Sequence, residues 1–214
     1  MSYPNFNIEK KFSGIVSGID EVGRGPLAGP VVSCACIFFD YSIEQSQLSF
    51  FDDSKKLTLK KRSEAFHKVY QLKNDNKLRF SLGFANVVEI DKFNILEATK
   101  ISMERAVQKL HYEKANLIID GKIDLQLPRY TSNGIVKGDQ KSYSIATASV
   151  IAKMHRDRYM YYLSLQYPYY DWGKNAGYGT KKHIEQIHKH GLTDHHRKSF
   201  KPIKRILINS NSLS

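Results

Sequence analysis

One segment, residues 18–30, limits what this chain can fold into more than any other: Gly-Ile-Asp-Glu-Val-Gly-Arg-Gly-Pro-Leu-Ala-Gly-Pro. It begins within an apolar run, residues 15–19, that predicts a β-strand. Neighbouring side chains of a strand point to opposite faces, so Asp20 and Glu21 can share a site only at the strand's end, where the chain begins to turn. The glycines and prolines supply that turn, and glycine lets backbone N–H groups approach a ligand that Arg24 would flank.

Two later segments repeat the pattern of a short apolar run that ends in an acid and a glycine. Asp120 follows residues 116–119, and Asp139 follows residues 134–138. Open α/β sheets bind ligands at the carboxyl ends of their strands. If these strands lie side by side, four carboxylates converge: Asp20, Glu21, Asp120 and Asp139.

Four converging carboxylates require a cation, because like charges a few ångströms apart raise one another's pKa unless they are neutralised. A ligand set made only of oxygens favours Mg²⁺ or Mn²⁺ over Zn²⁺. Two such ions about 4 Å apart can hold a phosphodiester, activate water and stabilise the leaving oxygen. The pattern alone leaves a second interpretation open, in which the four acids are separate turn residues.

The chain is strongly basic: 33 Lys and Arg side chains against 21 Asp and Glu give a formal net charge of +12. Such a charge predicts a polyanionic partner, nucleic acid first and an anionic membrane surface second. It identifies neither a fold nor a reaction. Basic surroundings around an acidic centre fit a polyanionic substrate whose charge is neutralised at the rim of the site.

Cys34 and Cys36 are the only two cysteines, and both lie in the apolar run of residues 31–39. Cysteine is a common small core residue, and no partner ligand stands nearby at metal-binding spacing, so we expect a buried strand with two free thiols. The lack of a disulfide framework favours the cytoplasm. Residues 1–12 hold no apolar signal segment, and no apolar run approaches the ~18–20 residues that span a bilayer.

The remaining patterns predict one more strand and three helices before residue 165. Loose alternation over residues 78–90 predicts the strand. Two helices are expected from polar capping residues, Thr58 and Asp91, and a third from small residues that allow close packing on a sheet. Their expected ranges are residues 58–70, 91–110 and 144–163.

The composition changes after Leu165. Aromatic residues and glycines cluster over residues 167–179, and residues 181–205 are rich in Lys, Arg and His. The histidine spacing does not place metal ligands cleanly on one helix face. We therefore interpret these histidines as part of a solvated or phosphate-facing basic tail: His183, His188, His190, His195 and His196.

Seven blocks recur in the order of a known family. The most specific are the first, residues 20–30, and the last, Asn175-Ala176-Gly177-Tyr178-Gly179-Thr180. Between them stand Asp53-Ser54-Lys55-Lys56-Leu57, residues 94–99, Ile119-Asp120-Gly121, Lys137-Gly138-Asp139, and residues 144–153 with Arg156 and Asp157. With these blocks the chain resembles the type 2 ribonucleases H, specifically the prokaryotic ribonuclease HII family, over residues 14–205.

The resemblance implies an α/β, ribonuclease-H-like fold, with a mixed sheet flanked by helices and a helical C-terminal extension. The expected layout is a flexible arm at 1–13, a catalytic domain at 14–165, a basic, aromatic-rich extension at 166–208 and a disordered tail at 209–214. Ribonuclease HIII shares this core but usually carries an extra N-terminal substrate-binding domain. The short stretch before the first strand, and the Gly-Tyr-Gly motif, favour ribonuclease HII.

The resemblance also assigns roles to single residues. The catalytic carboxylates and ligands of Mn²⁺ or Mg²⁺, with two ions during catalysis, would be Asp20, Glu21, Asp120 and Asp139. Substrate would be bound by Gly23, Arg24, Gly25, Tyr178, Lys55 and Lys56. The Gly-Arg-Gly turn would recognise the 2′-hydroxyl, largely through backbone groups, and the tyrosine would stack on the sugar of the next deoxynucleotide. Asp157 also matches a family position, but the adjacent Arg158 predicts a structural ion pair.

The implied activity is metal-dependent hydrolysis of the RNA strand of RNA–DNA hybrids, and nicking 5′ of ribonucleotides embedded in duplex DNA. The products would carry 3′-hydroxyl and 5′-phosphate ends. We expect a monomer that binds these nucleic acids and no membrane. Two alternatives stay open: another two-metal nuclease of the same fold, and a non-catalytic nucleic-acid-binding protein. The second conflicts with four strand-end acids, which would repel phosphate without metal.

Overall fold

A five-stranded mixed sheet is the centre of the part of the chain that the structure describes, residues 3–44, 48 and 59–211 of a computed structural model. In chain order its strands are β1 (Val16–Val22), β2 (Val31–Phe38), β3 (Leu78–Ala85), β4 (Ala115–Asp120) and β5 (Tyr130–Ile135). Across the sheet the order is β3-β2-β1-β4-β5. β2 is antiparallel to β1 and β3, whereas β1, β4 and β5 run parallel.

Helices cover both faces of this sheet. In the described ranges they are α1 (Leu59–Asn74), α2 (Val87–Gln108), α3 (Tyr143–Gln166), α4 (Trp172–Asn175), α5 (Lys181–His190) and α6 (Lys201–Asn211). On one face Met103 of α2 shares a buried cluster with Ile19, and on the other Ile151 of α3 shares one with Cys34 and Cys36. Both cysteines are buried and free, as expected. The predicted α/β class, a mixed sheet flanked by helices with a helical extension, is confirmed.

The boundary between β3 and α2 differs from the predicted one, which extended a single strand over residues 78–90 and capped the next helix at Asp91. β3 ends at Ala85, and Asn86 caps α2. The Asn86 side chain accepts from the N–H of Glu89, and the Glu89 carboxylate accepts from the N–H of Asn86. This reciprocal pair satisfies two free N–H groups and starts the helix early. Both predictions are wrong here because the β-branched Val-Val pair that suggests a strand lies in the first helical turn.

β1 and α3 approach so closely that no side chain fits between them at Gly18. A Cβ atom there would lie 2.3 Å from the carbonyl carbon of Ser144 and 2.4 Å from the backbone nitrogen of Ile145. The small residues at the start of α3 allow this approach, as the sequence predicted. The contact fixes the position of α3 along β1, and with it the position of Ser149 beside the end of the strand.

The N-terminal residues pack against the domain instead of forming the loose arm that the sequence predicted. Phe6 is buried, with its ring centroid 5.0 Å from that of Tyr143. The buried Glu9 carboxylate accepts from the Ser142 hydroxyl at 2.6 Å and from the Ser144 N–H at 3.0 Å. A negative charge is stabilised at a helix N-terminus, where backbone N–H groups lack partners. Residue 9 thus fastens the N-terminal segment to the start of α3.

The aromatic residues after α3 form a second small core rather than a solvated tail. Trp172, His183 and His196 are fully buried. The Trp172 Nε1–H donates to His183 Nε2 at 3.0 Å, and the Nε2 atoms of the two histidines lie 3.2 Å apart. The prediction of a solvated or phosphate-facing position is therefore wrong for His183 and His196, because the rings satisfy one another's polar atoms away from water. His188 and His190 are exposed.

The last helix also extends further than predicted. α6 continues to Asn211, whereas the sequence predicted a disordered tail from residue 209. Residues 212–214 lie outside the described part. No helix in the described ranges combines the length and the apolar character that crossing a membrane requires.

The two buried histidines predict a loss of stability in acid. Burial, and then the charge of the neighbouring His183, lowers the pKa of His196 from 6.5 to about 4. Between these values the unfolded chain binds more protons than the folded one, so the contribution to stability is complete above about pH 6.5 and declines as the pH falls toward 4. At the acid end of this pH range, His196 lowers the free energy of unfolding by roughly 3 kcal/mol. Urea unfolding followed by the fluorescence of Trp172, the only tryptophan, measures it.

A matched pair of variants isolates this contribution from that of the acids elsewhere in the fold. His196→Gln should flatten the dependence of the unfolding free energy on pH. His188→Gln, on the exposed side of α5, should leave the dependence unchanged. If the unfolding free energy depends equally on pH in the two variants, the loss of stability in acid does not come from the buried histidine pair.

Candidate active site

Parallel pairing of β1 with β4 brings acids from both strands to one edge of the sheet. Ile19 of β1 pairs with Ile119 of β4, so Asp20 and Asp120 follow on adjacent strands that run in the same direction. β1 continues to Val22, three residues beyond the predicted strand. Asp20 and Glu21 therefore lie among the last residues of the strand and not in the following loop. The sheet topology therefore brings acids of two adjacent parallel strands to one edge of the sheet.

Asp20 is a carboxyl group in a place where a negative charge is unfavourable. It is buried under α3, where Ser149 hydrogen-bonds to it, and its Oδ1 accepts from the N–H of Glu21 at 2.8 Å. Burial raises the pKa of Asp20 well above its ordinary value, and the charges of Glu21 and Asp120 raise it further. A cation held between these acids would offset all of these effects.

Glu21 has one paired and one unpaired carboxylate oxygen. Its Oε1 accepts from Nη1 of Arg24 at 3.3 Å. Its Oε2 is buried and has no hydrogen-bond partner among the described residues. Burial raises the pKa of Glu21, and the charge of Arg24 opposes that rise. A buried, unsatisfied carboxylate oxygen is costly unless a ligand completes its coordination.

Asp139 joins this edge through a turn and not directly from a strand end. It is buried in a 3₁₀ turn, Gly138–Gln140, that follows β5. The N–H of Gly138 donates to Oδ1 of Asp120 at 2.7 Å, so the backbone of this turn is attached to the β4 acid. The structure thus shows charge effects among Asp20, Glu21 and Asp120, and it joins the turn that carries Asp139 to Asp120 through the N–H of Gly138.

The donor chemistry of these acids fits a hard divalent cation. All four candidate ligands offer carboxylate oxygens, which suit Mg²⁺ and Mn²⁺. The unpaired Oε2 of Glu21 and the unfavourable charge on buried Asp20 are both relieved by a cation. Among the described residues, no three His, Cys, Asp or Glu side chains already stand close enough to form a ligand cluster.

The turn after β1 lies between these acids and Tyr178. The half-exposed Tyr178 ring lies against Gly25, where a Cβ atom would be 3.4 Å from Cε1 of the tyrosine. Gly23 has a φ of +96°, and a Cβ atom there would lie 2.2 Å from Nε of Arg156. Only glycine fits that position, in conformation and in space. The structure brings together four of the predicted substrate-binding residues: Gly23, Arg24, Gly25 and Tyr178.

Two further predictions near this site concern a pair of lysines and the ion pair of Asp157. Lys55 and Lys56, with the rest of the Asp-Ser-Lys-Lys-Leu block, lie outside the described residues. Asp157 accepts from Nζ of Lys153 at 2.6 Å, one helical turn away, while Arg158 donates to the hydroxyl of Tyr162. The ion pair predicted for Asp157 is therefore made with Lys153.

Sequence reasoning did not single out the two buried arginines that bind backbone carbonyls of the loop after β1. Arg156 of α3 and Arg197, which follows α5, are both fully buried. Arg156 donates to the backbone carbonyls of Pro30, Ala28 and Ala176. No local signal distinguishes Arg197 from the other basic residues of the extension, because its partners lie far away in the chain. Arg156 belonged to a recognised block, but without this role.

The strand order, with acids at the carboxyl ends of β1 and β4, defines the class of ribonuclease-H-like nucleases. The chain belongs to the ribonuclease HII family, whose sequence profile matches residues 17–203. Ribonuclease HII of Wolbachia sp. subsp. Brugia malayi (strain TRS) is 47% identical over 212 residues, covering 97% of this chain and 100% of that protein.

Solved structures share the fold. Ribonuclease H2 from Pyrococcus horikoshii OT3 has a TM-score of 0.73 at 23% identity and covers 92% of this chain and 99% of its own. Bst-RNase HIII in complex with Mn²⁺ has a TM-score of 0.61 at 18% identity, over 94% of this chain and 71% of its own. The chain is accordingly a ribonuclease H, an endoribonuclease that acts on nucleic acid, and enzymes of its family are metal-dependent.

Proposed function

We propose that this ribonuclease H nicks duplex DNA 5′ of an embedded ribonucleotide, as well as cutting the RNA strand of hybrids, and leaves 3′-hydroxyl and 5′-phosphate ends. One observation supports the proposal above others: Tyr178 packs on Gly25 while Arg24 pairs with Glu21. The elements suited to recognise a sugar are thus in direct contact with the elements suited to cut its phosphate.

In this proposal each group has a separate task. The carboxylates of Asp20, Glu21, Asp120 and Asp139 hold Mn²⁺ or Mg²⁺, with two ions during catalysis. Bound ions of this kind activate water and stabilise the leaving oxygen. Ser149 orients Asp20, and Arg24 holds Glu21 by its paired oxygen. The backbone of Gly23, Arg24 and Gly25 recognises the 2′-hydroxyl, which is the group that distinguishes RNA from DNA.

The remaining groups bind the rest of the duplex. Tyr178 stacks on the sugar of the next, deoxy, nucleotide, and Lys55 and Lys56 contact its phosphates. The net charge of +12 supports binding of a polyanion around the acidic centre. We also propose that the enzyme acts as a monomer in the cytoplasm, where its two free thiols stay reduced. Light scattering of the purified protein at working concentration tests whether it is a monomer.

A substrate panel tests the proposed specificity. A DNA duplex with one ribonucleotide, a long RNA–DNA hybrid and an all-DNA duplex are each incubated with Mn²⁺ or Mg²⁺, with and without chelator. We expect a single metal-dependent nick 5′ of the lone ribonucleotide, cuts throughout the hybrid, and none in DNA. Cleavage of the hybrid alone would instead indicate a general hybrid ribonuclease. No cleavage by folded protein that binds the duplex would leave only a binding role.

Replacing Tyr178 should weaken cleavage at the single ribonucleotide. Loss of the ring in Tyr178→Ala should lower kcat/KM by about 10- to 100-fold, because aromatic stacking on nucleic acid contributes ~1–3 kcal/mol. Tyr178→Phe keeps the ring and should stay within about 3-fold of the parent. Tyr169→Ala, which removes another exposed tyrosine in the extension, is the control for nonspecific effects. Equal losses in the two alanine variants would argue against stacking by Tyr178.

A further inference from the structure

Arg197 reaches from the C-terminal extension under the turn that follows β1 and binds its carbonyl groups. Its Nη2 donates to the carbonyl oxygen of Gly23 at 2.6 Å, and its Nη1 donates to that of Arg24 at 3.1 Å. Its Nε and Nη2 donate to the carbonyl oxygen of Gly29 at 2.9 and 2.7 Å. One planar guanidinium therefore holds both ends of the turn through three carbonyl groups.

Peptide geometry converts these contacts into a direction for two N–H groups. The chain has no cis peptide bond in its described part, so each C=O points opposite to the N–H of the same peptide unit. The Gly23 carbonyl faces Arg197, so the Arg24 N–H faces away from it. The Arg24 carbonyl also faces Arg197, so the Gly25 N–H faces away as well. Arg24 and Gly25 are exposed, and within the described residues neither N–H has an acceptor.

The backbone of Arg197 is itself held on two sides. Its own N–H donates to the carbonyl of Leu27 at 2.8 Å. The two following residues are fixed by Asp91, whose carboxylate accepts from the N–H groups of Lys198 and Ser199, both at 2.9 Å. The carboxylate that the sequence suggested as a helix cap thus anchors the segment that carries Arg197. The guanidinium has little freedom to leave the turn.

We propose that Arg197 is the positioning residue for ribose recognition, because it aims the Arg24 and Gly25 N–H groups at the 2′-hydroxyl. This inference rests on the proposed function, in which the Gly-Arg-Gly backbone binds that hydroxyl. Arg197 touches no substrate atom and acts through the turn. Preformed N–H donors cost no reorganisation on binding, and they lose a partner when the sugar is deoxyribose.

Lysine cannot replace arginine in this role. A guanidinium offers five N–H donors in a fixed plane, whereas an ammonium group offers three on a flexible stem. Arg197→Lys cannot reach three separated carbonyl oxygens with the same geometry. Burial lowers the pKa of Arg197 to about 9, so the guanidinium stays cationic at neutral pH.

The experiment compares binding of two duplexes that differ by a single hydroxyl. All proteins carry Asp20→Asn so that the substrate is not consumed. The measured quantity is the ratio of Kd for an all-DNA duplex to Kd for the same duplex with one ribonucleotide. We expect Arg197→Lys to lower this ratio by about 10-fold, the effect of one or two lost hydrogen bonds, while Kd for all-DNA stays within about 2-fold. Retention of the full ratio in folded Arg197→Lys overturns the inference.

Arg156→Lys is the matched control. It also exchanges a buried arginine that binds carbonyls of the same loop, but its partners are at Ala28, Pro30 and Ala176 and not in the Gly23–Gly25 backbone. Arg156→Lys should lower Tm by about as much as Arg197→Lys does, and it should keep the ratio of Kd values of the parent protein. Equal loss of the ratio in both variants would indicate general loosening of the loop and overturn the specific role of Arg197. If the parent protein binds the two duplexes with the same Kd, the proposed function is refuted instead.

A second measurement keeps the inference testable if Arg197→Lys fails to fold. In NMR spectra of the Asp20→Asn protein, the amide resonances of Arg24 and Gly25 should move downfield when the single-ribonucleotide duplex is added. The all-DNA duplex should not produce this shift. Unchanged amide resonances in a complex of demonstrated affinity overturn the inference, because they would show that these N–H groups do not face the hydroxyl.

Discussion

Asp20→Asn should lower turnover by about two to three orders of magnitude and at the same time stabilise the metal-free protein. Removing one charged ligand from the acidic edge costs an estimated 3–4 kcal/mol of transition-state stabilisation, which is about 10²- to 10³-fold in kcat. The same change removes a buried charge that burial, Glu21 and Asp120 all disfavour. We therefore expect the free energy of unfolding without metal to rise by about 1 kcal/mol. Single-turnover cleavage and urea unfolding measure the two effects.

The opposite directions of these effects identify the site. A residue that only supports the fold would lose activity together with stability. Asp75→Asn, at an exposed position after α1, is the control and should change neither quantity. Binding of the duplex should be retained or tightened in Asp20→Asn, because a negative charge near phosphate is removed. Full activity in Asp20→Asn would exclude Asp20 from the catalytic site.

Gly18→Ala should cause a large loss of stability. The new Cβ atom would lie within 2.4 Å of backbone atoms of both Ser144 and Ile145. Backbone cannot rotate away as a side chain can, so α3 must shift as a unit. We expect a cost of roughly 3–5 kcal/mol, a large fraction of the stability of a domain. Urea unfolding followed by far-UV circular dichroism measures it.

Gly14→Ala separates this steric effect from backbone strain. Gly14 has a φ of +80°, but nothing lies within 4 Å of a Cβ atom placed there. Alanine at this position should cost only ~1–2 kcal/mol, the price of a left-handed conformation. If the two variants lose the same stability, close packing of α3 on β1 is not what makes Gly18 necessary.

Local patterns located β1, β2, β3 and β4, but not the start of β5 at Tyr130, the end of β3 or the contacts between distant segments. Apolar runs ending in acids located Asp20 and Asp120, because strand periodicity is a local property. Asp139 lies in a 3₁₀ turn and not at the end of a strand. The sequence could not show this turn, because three residues are too few for a hydrophobic period. The start of α2 is misplaced in the prediction because the loose alternation over residues 78–90 continues past the end of β3 and through the capping box at Asn86.

The contacts of the extension could not be predicted because they depend on partners far away in sequence. The ring of His196 is buried with its Nε2 beside Nε2 of His183, 13 residues earlier in the chain, and with its Nδ1 accepting from the N–H of Thr193. Arg197 is buried only because three carbonyl groups near residue 25 face it. In the sequence each is one more basic residue in a basic segment, and charge patterning alone assigns such residues to solvent.

The hold of Arg197 on the turn after β1 has a consequence for protein synthesis. The turn is made among the first thirty residues, yet the arginine that orients it emerges from the ribosome more than a hundred residues later. Contacts of such sequence separation form late in folding, because the intervening chain must be ordered first. A nascent chain can thus form its acidic strands before Arg197 holds the turn after β1. Under the role proposed for Arg197, discrimination between the two sugars begins only after that residue has left the ribosome.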